Sequence, residues 1–229
     1  MAVSRRDFIK TGVGSACTLA AGAGVLKAQT AQPAATPPSN STPADRMPPI
    51  PADKLTPEQK KASDDFTAER KTPVFGPFIP LLRSPEVMLR ARAMGDYLRY
   101  KSVLPAALNE FAILITARHW TQGYEWAVHE PIAVKAGLKP EITQALAEGR
   151  RPQVMSADEE MIYEFCTELH QNQSVSDATY ARVLAKFGEQ GIIDLIGVNG
   201  YYAFLAMVLN GTRTAVPKNT APPLPAFPH

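Results

Sequence analysis

Proline placement constrains this 229-residue chain more than any other feature. Of its 21 prolines, eight lie between Pro33 and Pro57, five lie from Pro217 onward, and none falls between residues 153 and 216. Proline lacks a backbone N–H and clashes with the preceding helical turn, so it suits helix starts and extended segments but not helix interiors. The ends therefore read as extended and the interior as helical. Residues 29–57 are rich in Ala, Pro, Ser and Thr, the composition of a linker, and residues 216–229 form a Pro-rich tail. The folded domain is expected over 58–215.

Within that span the remaining signals are helix starts and stops. Thr56-Pro57-Glu58-Gln59 sets out an N-cap, a first-turn proline and a capping-box glutamine. Ser84-Pro85-Glu86 opens a helix with Val87, Ala91, Met94 and Leu98 at helical spacing. Pro105 opens another, through Phe111, Leu114 and Ile115. A fourth runs from about Thr121 to Ala136 and stops at Gly137. Pro140-Glu141 opens a fifth, ending at Gly149. Ser156 and Glu159 form a second capping box. Ser176-Asp177 starts a seventh helix that ends at Gly188, and the last runs from about Ile192 to Leu209. No strict alternation argues for a sheet. The fold class is all-α, a compact multi-helix bundle. The last helix is apolar nearly all round, which predicts burial on most sides. A subunit interface would cover it, so the chain is expected to be a homo-oligomer.

The first 28 residues read as an address. Ser4-Arg5-Arg6-Asp7-Phe8 precedes a Gly/Ala-rich apolar stretch, the pattern of a twin-arginine export signal, which implies the twin-arginine machinery as a partner and a periplasmic location. Gly12, Gly14, Gly22 and Gly24 argue against a buried helix there. Without residues 1–28 the chain loses four cations, one acid and Cys17, leaving 20 basic against 21 acidic residues and Cys166 as its one thiol. Cys166 lies in an apolar helical stretch and is expected to be buried. A formal net charge of +2 for the whole chain, with no Lys/Arg block, excludes a phosphate-backbone binder. No apolar run was expected to span a membrane.

Residues 109–138 concentrate the chemistry. They hold both tryptophans, two of the four histidines, and Asn109, Glu110, Arg118, His119, Gln122, Tyr124, Glu125 and Glu130. Gln122, Glu125 and His129 are spaced to share one helix face. A carboxylate four residues before an imidazole serves as a surface ion pair, as an acid–base couple, or as two metal ligands. Glu110 either sits in an exposed first turn or points at that same face. His170, four residues after Cys166, is expected to be a helix-end histidine beside a buried thiol.

The stretch NEFAILITARHWTQGYEWAVHEPIAVKAGL at 109–138 resembles the signature region of the carboxymuconolactone decarboxylase family, which shares its fold with alkylhydroperoxidase D proteins. GPFIPLLRSPEV at 76–87, Leu98-Arg99-Tyr100, and GVNGYYAFLAMVLN at 197–210 extend the resemblance. It implies a bundle of the alkylhydroperoxidase D type assembled as a homo-trimer or homo-hexamer. In the peroxidase branch two cysteines spaced C-x-x-C precede the histidine. Gln122 and Glu125 stand there here, and neither can attack a peroxide, so the resemblance is to the decarboxylase branch.

That branch implies a carboxy-lyase acting without cofactor or metal on a small carboxylated lactone from aromatic-compound catabolism. His129 would move the proton, Glu125 would orient it, Glu110 would be a second acid–base group, and Tyr124 or His119 would donate to the oxyanion. Arg118 is the candidate carboxylate anchor, and Trp126 and Gln122 would line the substrate site. The aromatic-degradation step is cytosolic, so an exported chain points to another lactone or related acid. Two alternatives remain at this stage: a metal-dependent enzyme of the same fold using Glu110, Glu125 and His129, and a non-catalytic exported binding protein.

Overall fold

The computed structural model describes residues 44–217 and 224–225. Residues 1–28, expected to be an export signal, the linker up to residue 43 and most of the tail lie outside the described residues. The described part of the linker runs through a single 3-10 turn, Ala52–Lys54, into α1. It is tied to the domain: the Arg46 backbone N–H donates to Thr212 O at 2.8 Å, and the Arg83 guanidinium donates to Pro48 O at 2.8 Å.

The domain is built from α1 (Pro57–Arg70), α2 (Phe78–Leu81), α3 (Pro85–Tyr100), α4 (Ala106–His119), α5 (Gly123–Lys135), α6 (Pro140–Ala147), α7 (Ala157–Asn172) and α8 (Asp177–Thr212), with no strand among the described residues. Both capping boxes form. Thr56 Oγ1 accepts from Gln59 N at 3.2 Å while the Gln59 side chain accepts from Thr56 N at 3.1 Å, and Ser156 and Glu159 repeat the exchange. Each pair satisfies two N–H groups that a helix start leaves without partners.

Two boundaries differ in detail from the sequence pattern. The fourth helix starts after Gln122 rather than at Thr121, because Thr121 adopts a left-handed φ of 47°. The single-turn α2 carries no periodicity long enough to announce it. The last two expected helices meet at Gly188, whose φ of 68° and ψ of −175° break α8 into rods at 177–187 and 189–212. That backbone region is open only to glycine.

The core axis is α4. Residues Leu108 to Arg118 are all buried, and α5, α6, α7 and α8 pack around them. The last helix, expected to be buried on most sides, is partly covered within the single chain. By length and composition α8 could cross a membrane, as a core helix also can, and 56% of its apolar window is buried inside the domain. Its outer face leaves Ile193 (66% exposed), Ile196 and Met207 uncovered in a single chain. Phe66, Phe111, Phe165, Met88 and Leu195 fill the interior. Cys166 is buried there as expected, with Asn199 Nδ2 donating to its Sγ at 3.3 Å.

Candidate active site

The site forms where α4 and α5 pack against α8. Asn109 anchors the start of α4 by donating from Nδ2 to Leu98 O at 2.7 Å, and this turn directs the neighbouring Glu110 inward. His129 lies two turns along α5. Its Nδ1 is 2.6 Å from Glu110 Oε2, and both side chains are under 10% exposed. The two residues that sequence spacing left on separate helices therefore meet. With Nδ1 donating to Glu110, the ring would carry its proton there and leave Nε2 its lone pair. Nε2 makes no hydrogen bond among the described residues, and His129 lines a cavity. The ring edge is fixed against Tyr202, with centroids 5.0 Å apart at 87°.

That cavity has a volume of about 50 Å³. Its wall includes Arg70, Arg99, Tyr124, Glu125, Tyr201 and Tyr202, beside Phe75, Pro77 and Phe78. A space of that size holds a few water molecules. Gly76 closes one side at a φ of 54°, with its backbone so near Tyr124 that a Cβ there would lie 2.7 Å from the phenol oxygen.

Electrostatics differ sharply between neighbours. Burial lowers the pKa of His129 from its ordinary value; the Glu110 hydrogen bond and charge oppose this, and Arg99 adds to it. Burial alone drives Glu125 well above the usual carboxyl range. Its two oxygens have no hydrogen-bond partner among the described residues. Burial likewise raises Tyr202 far above the ordinary phenol value. Arg70 is held by Asp96 at 2.6 Å and lies over the rings of Phe66 and Phe78. Arg99 forms no ion pair among the described residues and rests over Tyr100, 5.1 Å from its ring centroid.

The other expected site residues lie elsewhere or act structurally. Gln122 is the N-cap of α5: its Oε1 accepts from Tyr124 N at 2.5 Å and from Glu125 N at 3.3 Å, and its Nε2 donates to Asn210 at 2.8 Å. Trp126 is buried in the core cluster and is not among the cavity-lining residues. Glu125 shares the cavity with His129, but the hydrogen bond to the imidazole comes from Glu110. Arg118 and His119 line a separate cleft of about 160 Å³ with Arg150, Tyr163 and His170. In it the His119 and His170 rings stack at 4.6 Å. Arg118 Nη1 donates to Ala147 O at 2.9 Å and Pro225 O at 2.6 Å.

Arg150, facing the larger cleft, is engaged by Glu148. The smaller cavity brings together a histidine–carboxyl pair, a second buried acid and an arginine that forms no ion pair among the described residues, the features that mark sites of acid–base chemistry. Among the described residues no three His, Cys, Asp or Glu side chains form a group that would hold a metal ion, Glu110, Glu125 and His129 included.

No protein-family model matches the chain, and no curated protein sequence does. Solved structures do. A peroxidase-related protein from Silicibacter sp. TM1040, itself uncharacterised, superposes with a TM-score of 0.61 at 16% identity, covering 79% of this chain and 96% of its own. A protein of unknown function from Agrobacterium tumefaciens, described as a candidate AhpD antioxidant-defence protein, gives a TM-score of 0.50 at 16% identity, covering 60% and 94%. The fold is that of AhpD-like proteins.

Proposed function

We propose that this chain is an exported enzyme of the carboxymuconolactone decarboxylase type, performing cofactor-free acid–base chemistry on a small carboxylated lactone or related acid. One observation carries the proposal: the Glu110–His129 pair, buried and 2.6 Å apart, with His129 lining a cavity. Glu110 sets the tautomer and stabilises the imidazolium that forms in turnover. Arg99, without a counter-ion in the wall, is the anchor for a substrate carboxylate. The sequence assigned that role to Arg118, which lies in the other cleft.

In the proposed reaction the bond from the lactone ring to its carboxylate breaks and carbon dioxide leaves. The bonding electron pair passes into the conjugated lactone carbonyl. His129 Nε2, neutral at rest, takes a proton from the medium and delivers it to the carbon that carbon dioxide left. The cavity, at about 50 Å³, is smaller than a lactone ring, so admission of such a substrate would widen it. Assembly as a trimer or hexamer would cover the apolar outer face of α8, and periplasmic location follows from the twin-arginine pattern. The Cys-to-Gln122 and Cys-to-Glu125 departures, with Cys166 buried and its thiol pushed up to about 12, support this reading over thiol peroxidase chemistry.

The test is carbon dioxide release from 4-carboxymuconolactone by the mature protein, beside His129→Ala and Glu110→Gln. Release by the wild type that is abolished in His129→Ala supports the proposal. A folded wild type that releases none from this or related lactones overturns it.

A further inference from the structure

Glu125 is the buried acid that this mechanism leaves unused. It lies one helical turn before His129 on α5, is 3% exposed, and lines the same cavity. Around the cavity stand Arg70 from α1, Arg99 from α3, Tyr124 and His129 from α5, and Tyr201 and Tyr202 from α8. None of them hydrogen-bonds to either of its carboxyl oxygens. The other buried acids are engaged: Glu110 by His129, and Asp194 by Tyr97 Oη at 3.2 Å and Val103 N at 3.0 Å.

A carboxyl group removed from water without a donor or a cation against it is penalised in its charged form and keeps its proton. The direction found for Glu125 agrees with that. The result is an O–H group with no acceptor, held on a rigid helix beside a catalytic base. Leaving a buried donor unsatisfied is unfavourable, so a side chain retained in that state at a cavity wall points to a ligand acceptor.

We infer that Glu125 is a neutral carboxylic acid that donates a hydrogen bond to the carbonyl oxygen of the substrate and holds the negative charge which that oxygen gains during reaction. The inference rests on the acid–base reading of the Glu110–His129 pair and narrows its substrates to compounds with a carbonyl conjugated to the reacting carbon: lactones, esters or ketones. In decarboxylation the pair from the broken C–C bond moves onto that oxygen. In simple proton transfer the C–H bond next to the carbonyl breaks, an N–H bond forms at Nε2, and the C–H pair moves to the same oxygen. Return of the proton to carbon restores the carbonyl, so no oxidant or second reactant is needed. A donor fixed where charge develops is the usual source of such stabilisation.

The test uses 4-nitrophenolate as an oxyanion probe, titrated against the full mature protein by absorbance, together with difference infrared spectra. The wild type binds the phenolate; Glu125→Leu weakens binding about tenfold or more, the loss expected for one hydrogen bond to a charged acceptor. Glu125→Gln, whose amide still donates, retains most of it. A protonated-carboxyl C=O band is present at neutral pH, is absent in Glu125→Gln, and shifts when the probe binds. Turnover is measured separately, so failure of the acid–base reading would show in turnover while the Glu125-dependent binding and infrared band remain. No binding by the wild type, equal binding by Glu125→Leu, or no Glu125-dependent carboxyl band would each overturn the inference. The infrared band and Glu125→Gln decide the matter even if Glu125→Leu does not fold.

Discussion

Replacing Glu110 and His129 by leucine, singly and together, isolates the energy of the pair. Both side chains are under 10% exposed and 2.6 Å apart, so each is the other's replacement for water. Removing one partner leaves the other buried without its hydrogen bond, which costs about 2 to 3 kcal/mol for a bond with one charged partner. Removing both leaves no orphan between them, only the lost neighbour of Arg99. The double variant should therefore lose about as much as one single variant. That corresponds to a coupling energy of about 2 to 3 kcal/mol, well beyond the few tenths seen between independent sites. Guanidinium unfolding followed by circular dichroism, at one fixed protein concentration, measures all four proteins. Single-variant losses that add to the double-variant loss within about 0.5 kcal/mol would refute the reasoning.

Three further outcomes follow from the same structure. Burial, reinforced by the neighbouring His119, holds His170 at a pKa of about 4 against 6.5 when free. Between those values the unfolded chain binds the extra proton, so stability falls as pH drops from 6.5 toward 4; His170→Asn should flatten that slope in pH-dependent urea unfolding, and an unchanged slope would count against it. Gly188→Ala should cost about 1 to 3 kcal/mol, because its φ is 68° while nothing lies within 4 Å of a Cβ placed there; a thermal melt equal to wild type would show that the helix break carries no backbone strain. The Cys166 thiol, pushed up to about 12 by burial, should resist iodoacetamide in the native protein at pH 8 and react once guanidinium unfolds it; modification at equal rates in both states would contradict its burial.

Much of the architecture was legible because its signals are local. Thr56, Ser156 and Ser176 are caps whose partners lie three residues away. Gly137 and Gly149 adopt positive φ where the helices stop, and Gly188 does so where α8 breaks. The site was less legible because its geometry is not local. Gln122 matched the stripe of Glu125 and His129 by spacing, yet a side chain at the first helical turn is better used on free N–H groups, and it caps α5. Arg118 and His119 are close to Glu110 in sequence, but a little over two further turns of α4 carry them to the second cleft. The meeting of Glu110 with His129 depends on how α4 crosses α5, which no single-helix pattern encodes. Arg70, Arg99, Tyr201 and Tyr202 reach the cavity from three other helices. The one hint of them in sequence was that the stretches at 98–100 and 197–210 shared in the resemblance.

The tautomer and charge of His129 test the central claim most directly. In protein carrying ¹⁵N-labelled histidine, with the resonance assigned by its loss in His129→Ala, the account predicts a neutral ring at pH 7.5 with its proton on Nδ1 and an unprotonated Nε2, an arrangement weakened in Glu110→Leu. A charged imidazolium at that pH, or a proton found on Nε2, would contradict it.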